Sequence, residues 1–335
     1  MDSLTHIALG ACIGELMAGR KLGRKAMLWG AAAQSLPDID FIAGIWSSPA
    51  EDLLAHRGFT HSFLFIALMA PLLALLAARW HQFRDVSLRQ WFWFFGLQQL
   101  VHVLIDALNA YGTGWFEPFS HLRVACETLF VADPFFTVSL IVSSLVLLLR
   151  RKSRNRRQWA LGGILVSAVY LIQASFGKVI VESAVARNLK EQHIQSSTHF
   201  TSPTPFNTWL WYIVAKTDSG YQIGYRSVFD RSPSIQFQYV PRQDSLLSSI
   251  RGQEDLQHLI RFSKGYFAVQ QWGDSLVFND LRFGQIMGWS NPKAPFVFYY
   301  YLQHPSANTM LVQRGRMTGW NAEAWLGLVR RIQGN

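Results

Sequence analysis

Residues 134–181 run PFFTVSLIVSSLVLLL (134–149), RRKSRNRR (150–157), Gln158 and WALGGILVSAVYLIQASFGKVIV (159–181). Two long apolar runs separated by a block of cations match a pair of membrane segments with a basic loop between them. The second run is longer than the ~20 residues a helix needs to cross a bilayer. Working outward, Ser62 to Ala78 and Trp91 to Tyr111 are also apolar, and beyond Val181 no comparable run exists. The fold class expected is a polytopic α-helical membrane domain over 1–181 followed by a soluble α+β domain over 182–335. The spans fall at roughly 3–19, 26–46, 62–78, 91–111, 133–149 and 159–181. That makes about six spans, or five plus a re-entrant helix, since the first segment holds Gly10, Gly14 and Glu15.

The formal charge is +10, which raises nucleic acid as a partner. The cations, however, gather between the spans, the pattern of loops facing a cytoplasm and an anionic leaflet. One set of alternate loops holds Arg20, Lys21, Arg24, Lys25, Arg79, Arg84, Arg89, Arg150, Arg151, Lys152, Arg154, Arg156 and Arg157; the other holds only Arg57 and Arg123. The bias places the first set in the cytoplasm and the tail outside it. The expected localisation is therefore the inner membrane, with the C-terminal domain extracytoplasmic and no nucleic acid bound. Asp2 and His6 stand where a secretory signal carries Lys or Arg, so no cleaved signal peptide is read. Cys12 and Cys126 form neither a CxxC nor a disulfide framework.

The tail alternates aromatic and polar residues in WLWYIVAKT, YQIGYRSVF, SIQFQYV, YFAVQQW, SLVFNDLRF and FVFYYYLQ, which read as strands. Tight turns are expected at Asp218–Gly220 and Gly273–Asp274, and helices near 244–262 and 321–332. His193, His199, His258 and His304 are scattered singly and carry no metal-ligand spacing.

The chemistry-bearing residues lie in the first half: His6; Asp38 and Asp40 in LPDID; His56 and His61 in HRGFTHS; His102 and Asp106 in HVLID. His102 and Asp106, four apart, share one helix face and can meet one ion. Pro37 breaks the preceding helix, leaving Asp38 and Asp40 on irregular backbone where they can converge. An ionised Asp at mid-bilayer costs about 3 kcal/mol, so it needs a partner or an aqueous cavity. Imidazole and carboxylate in this proportion suit Zn²⁺, with Mn or Fe as alternatives, and the set is large enough for one or two ions. Asp38, Asp40 and Arg57 are the expected catalytic groups, Arg57 as a neutraliser of oxyanion charge. Glu117, His121, Glu127 and Asp133 are reserve ligands.

These motifs resemble the YdjM-like family of inner-membrane proteins described as metal-dependent hydrolases and as LexA-binding. The likeness rests on THxxxG at Thr5–Gly10, LPDID, HRGFTHS, HxxxD and the Gly112–Phe119 stretch, and covers about residues 1–120. Asn109, Ala110 and Phe41 depart from the family pattern. The resemblance implies a hydrolase without naming its substrate. The order His, Asp, His, HxxxD is also similar to zinc-dependent phospholipase C and P1 nuclease, an analogy that favours a phosphoester of a lipid or amphiphile. The alternatives are a metal or proton transporter, and a scaffold with a structural metal and a partner-binding tail. The sequence names no protein partner for the tail.

Overall fold

The computed structural model describes residues 1–80, 86–150, 154–303, 308 and 320–334. Arg84, Arg151, Lys152 and His304 lie outside the described residues. The chain divides into two compact units. The first holds Met1–Ala43, Ala55–Gln173 and Pro205–Asn207, the second Gly44–Leu54, Ala174–Thr204 and Thr208–Asn335.

Helix α1 (Ser3–Leu22) starts where Asp2 accepts a hydrogen bond from the Thr5 N–H and stops at Gly23, whose φ of 57° only glycine adopts freely. The chain reverses there into α2 (Lys25–Ser35). The two helices close into a hairpin in which Gly10 and Gly14 face Gly30 and Ala26. A Cβ on Gly30 would lie 2.0 Å from the Gly10 oxygen, and one on Gly14 would lie 2.2 Å from the Ala26 oxygen. A 3-10 turn, Pro37–Ile45, follows and carries Asp38 and Asp40. Next come α3 (Pro49–Ala55), a 3-10 turn at Phe59–His61, and α4 (Phe63–Trp80). Helix α5 (Leu88–Asp106) opens on a capping box of Ser87 and Gln90. Asp133 caps α6 (Pro134–Leu149), and α7 is Arg156–Glu191. Ala18, Leu22, Ala26, Ala70, Ala74, Trp91, Phe94 and Phe95 form the main core of the first unit. Small residues on α1, α2 and α4 there admit the large rings of α5.

In the second unit β1 (Thr198–Pro203), β2 (Leu210–Lys216), β3 (Gly220–Ser227) and β4 (Gln238–Pro241) form an antiparallel meander. Helix α8 (Glu254–Phe262) precedes a three-stranded antiparallel sheet of β5 (Phe267–Trp272), β6 (Ser275–Gln285) and β7 (Phe296–Tyr301), and α9 is Ala322–Gln333. The helix expected over 244–262 is instead a short 3-10 turn, Asp244–Leu247, followed by α8.

The expectation of about six spans is not met. Among the described residues α7 alone is long and apolar enough to cross a bilayer, or two segments if Pro49–His61 and Phe63–Arg79 act as one broken span. The reason lies in where helices end and which faces they hide. Pro37 holds α2 to 11 residues, and α6, at 16 residues, reaches only about 24 Å against a core of about 30 Å. Helix α5 ends at Asp106 rather than at Tyr111, and Gln98, Gln99, His102 and Asp106 interrupt its apolar run. All four are fully buried. A run of apolar letters records neither limit.

The hairpin contact gives a contrast to measure. Gly30→Ala should destabilise the first unit by about 1–3 kcal/mol through overpacking. Gly162→Ala in α7, where an added Cβ meets nothing within 4 Å, should be neutral or stabilising by up to about 1 kcal/mol. Thermal unfolding of the purified protein in detergent distinguishes the two.

Candidate metal centre

Helix α2 ends at Ser35, so its last carbonyls have no partner within the helix. The carbonyl of Gln34 accepts a hydrogen bond from His102 Nδ1 on α5. Nδ1 therefore carries the proton and Nε2 keeps its lone pair, the tautomer a metal ligand needs. On the Phe59–His61 turn, His61 Nδ1 lies 3.3 Å from Asp40 Oδ2 and 3.0 Å from Thr60 Oγ1. That pairing likewise turns its Nε2 inward.

The two Nε2 atoms are 3.0 Å apart. His61 Nε2 is 3.2 Å from Asp106 Oδ2 and 3.6 Å from Asp38 Oδ1. His102 Nε2 is 3.5 Å from both of those oxygens. Asp38, His61, His102 and Asp106 thus offer four ligand atoms that all lie within 4.8 Å of one another. A tetrahedron with metal–ligand bonds of about 2.0–2.1 Å has edges of about 3.3 Å, inside the 3.0–3.6 Å spread of the five edges that involve an imidazole; the carboxylate–carboxylate edge is within 4.8 Å. Asp106 Oδ2 is buried and accepts no well-aligned hydrogen bond. Two inward lone pairs and two carboxylates at this spacing fit a divalent cation.

The other expected ligands stand one layer out. Asp40 accepts from the Arg57 N–H at 2.7 Å and from Thr60 Oγ1 at 3.2 Å, and its Oδ1 meets His56 Nδ1 at 3.1 Å. It orients His61 from behind, the usual place of a carboxylate supporting a ligand histidine. The His56 side chain is 40% exposed and sits outside the four-atom group. His6 Nε2 is 3.1 Å from Asp106 Oδ1, and its ring stacks on His102 at 3.8 Å. The Met1 amino group also pairs with Asp106. Of the reserve ligands, Glu117 and His121 pair with each other at 2.8 Å, and Asp133 is occupied as the α6 cap.

Arg57 is buried, with φ of 59°. Its guanidinium reaches Asn109 Oδ1 at 2.9 Å, the Met1 carbonyl at 3.3 Å and the Asp106 carbonyl at 3.4 Å, and it packs over the Tyr111 ring. Its Nε lies 3.2 Å from Asp106 Oδ2. These contacts hold Asp106 and the turn after α5. Gln34 and Tyr111 escaped the sequence reading, and Asn109 was noted there only as a departure from the family pattern. Gln34 acts through its backbone, which leaves no side-chain signal, whereas Asn109, three residues after Asp106, was detectable as a polar residue beside the motif.

Burial opposes ionisation of Asp38, but its contacts with His102 and His61 hold the carboxyl well below the usual carboxylate range. Burial likewise opposes charge on Asp40, and His56 and His61 override it. Both are carboxylates at neutral pH. A depressed native value contributes stability above the unfolded value of about 3.9, and that contribution is lost as pH falls below it.

Residues 1–181 match the family model for YdjM inner membrane protein, beyond the 120 residues covered by the motif likeness. That is more than half the chain. The chain belongs to the YdjM inner membrane protein family. All four clustered residues lie in the YdjM portion. Inner membrane protein YbcI of Escherichia coli (strain K12) is 30% identical over 122 residues, 36% of this chain and 69% of YbcI. The YfhP protein of Bacillus subtilis (strain 168) is 26% identical over 343 residues, 96% of this chain and 95% of YfhP. No solved structure matches.

If Asp40 works by orienting His61, Asp40→Asn should weaken divalent-metal affinity by about 10–100-fold and remove part of the acid-dependent loss of stability. Calorimetric titration with Zn²⁺ and melting curves from pH 7 to 3 measure the two effects.

Proposed function

We propose that this YdjM-family chain is a membrane-bound, metal-dependent hydrolase acting at the extracytoplasmic face on a phosphoester of a lipid or amphiphile. The observation that carries the reading is the convergence of the His61 and His102 Nε2 lone pairs on Asp106 Oδ2 and Asp38 Oδ1. Two imidazoles and two carboxylates suit Zn²⁺, with Mn²⁺ or Fe²⁺ as alternatives, and the cluster has room for one such ion. When bound there, the ion would lower the pKa of a bound water towards about 7 and polarise the scissile oxygen.

The rest of the work falls to the chain. His61, His102 and Asp106 are fully buried, while Asp38 is 25% exposed. Among the described residues the centre therefore opens at Asp38, as a catalytic site requires and a closed structural site does not. Asp40 keeps His61 in its tautomer, and the His56–Asp40 pair at the rim can carry a proton between His56 Nδ1 and Asp40 Oδ1. Arg57, buried and bonded to Asn109, Met1 and the Asp106 carbonyl, with its Nε beside Asp106 Oδ2, positions Asp106 in this reading.

The orientation draws on the cations that precede or open α7 in the sequence, Arg150, Arg151, Lys152, Arg154, Arg156 and Arg157, a bias that favours a cytoplasmic face there and the tail on the other side. A metal or proton transporter is the second reading. It draws on Gln34, Gln98 and Gln99, buried near the centre with side-chain atoms that lack hydrogen-bond partners and so suited to a passing cation or proton.

A panel of phosphodiester, phosphomonoester, carboxylic ester and amide substrates in mixed micelles, with and without chelator, tests the reading. Phosphoester turnover abolished by chelator is expected, with kcat lowered by about a hundredfold or more in Asp38→Asn. Metal flux into proteoliposomes without turnover would replace it with the transporter reading. A C-terminal reporter active only in the cytoplasm should be silent; a signal from it would reverse the orientation.

A further inference from the structure

LPDID and HRGFTHS, two of the motifs that supply the clustered ligands, are joined by a segment that folds with the tail. Gly44–Leu54 belongs to the second unit, although Asp40 precedes it by four residues and His56 follows it by two. Helix α3, of seven residues, is well below the ~12–15 at which an isolated helix is even marginally stable. Its form therefore comes from what it packs against.

Ala50 is fully buried and shares a core cluster with Leu256, Leu259, Phe267, Phe278 and Tyr300 of the tail, with Leu53 packed against it. Ser48 Oγ donates to Asp255 Oδ1 at 2.7 Å, and the Tyr300 hydroxyl donates to the other oxygen of that carboxylate at 3.0 Å. Ser48 also starts α3: its Oγ accepts from the Glu51 N–H at 3.2 Å and its carbonyl from the Asp52 N–H at 2.8 Å. A Cβ on Gly44 would lie 3.0 Å from Asp52 Oδ1, so the chain enters the segment beside the place where it leaves. The segment is a loop pinched at its base and seated in the tail. Just beyond the base, Asp40 accepts from the Arg57 N–H, and its Oδ1 meets His56 Nδ1 at 3.1 Å across a gap of 16 residues. Closing a flexible loop opposes assembly of a ligand set, and a loop folded beforehand removes that opposition because both turns are ordered before an ion arrives.

We propose that the tail is a clamp for the metal centre: by seating α3 through Ser48, Ala50, Asp255 and Tyr300, it fixes the spacing of the two turns that carry Asp38, Asp40, His56 and His61. These four are positioning residues, acting on the ligands through the backbone on either side of α3. A tail serving only a partner of its own gives no role to Gly44–Leu54, which leaves the first unit between two ligand motifs and returns to it. The proposal rests on the clustered ligands being a metal centre and is independent of the reaction that centre performs.

Calorimetric titration of the full chain in detergent with Zn²⁺ gives the test, and hydrogen exchange of the metal-free protein over residues 36–62 adds a readout that needs no ion. Ser48→Ala should weaken Zn²⁺ by about five- to tenfold, part of the net contribution of a hydrogen bond to a charged group, and should speed exchange in Pro37–Ile45 and Phe59–His61. Asp255→Asn should do the same, and the two together about as much as either alone, since both break one bond. Ser48→Thr keeps the hydroxyl and should retain the affinity. Ala50→Leu, which overfills a buried position, should weaken Zn²⁺ by about tenfold or more; if it fails to fold, the Ser48 and Asp255 variants decide. Ile213→Ala lies in a separate core cluster of the tail and should change the affinity less than about twofold. An equal loss in Ile213→Ala would overturn the clamp in favour of general tail stability, and unchanged affinity and exchange in Ser48→Ala would overturn it outright. Wild-type protein that binds no Zn²⁺ would remove the metal centre; exchange then decides alone, supporting the clamp if Ser48→Ala quickens it in the two turns and overturning it if not.

Discussion

The carboxylate of Asp106 has no exposure to solvent, and a charge in that position must be balanced at once or not be there. Much of the first unit around it answers that demand. His61 and His102 approach one oxygen and His6 the other, while Arg57 crosses behind with its guanidinium. Arg57 in turn is fixed by Asn109, by the Met1 carbonyl and by its seat over Tyr111. The left-handed backbone of Arg57 is the cost of aiming its N–H at Asp40 and its side chain at Asp106 together. Breaking a buried arrangement of this kind by removing one partner typically costs about 3–5 kcal/mol. The centre is thus as much a constraint on folding as a site.

The glycine hairpin supports this centre from a distance. Because Gly10 and Gly30 let α1 and α2 touch backbone to backbone, α2 stays close to the core, and its unpaired terminal carbonyl at Gln34 meets His102. His6 and Gly10 sit one turn apart on α1, so the same helix that accepts the close contact also delivers the imidazole stacked on His102. An inner ring that offers ligand atoms rests on an outer ring of backbone carbonyl, carboxylate and guanidinium. The inner ring alone does not separate hydrolysis from transport, since both need a desolvated His and Asp pair. The proposal of hydrolysis draws on the partial exposure of Asp38 and on the carboxylate–histidine pair beside it.

The sequence by itself named the residues from which the candidate centre is built. LPDID, HRGFTHS and HVLID each named residues that the fold brings to one place, because Pro37 must end a helix and His102 and Asp106 must share a face whatever surrounds them. Membership of an inner membrane protein family was legible for the same reason: the motifs are local. What only the tertiary structure decided was the division of labour. Asp38 and Asp40 are two residues apart, yet one joins the four-atom group and the other stands behind His61, since the 3-10 turn points them apart. Gln34 was invisible because its contribution is a carbonyl that every residue owns. The span count failed for a related reason: apolar letters set the cost of leaving water, but helix ends set by Pro37 and Asp106, and the side on which Gln98 and Gln99 are hidden, depend on packing against neighbours that no local window contains.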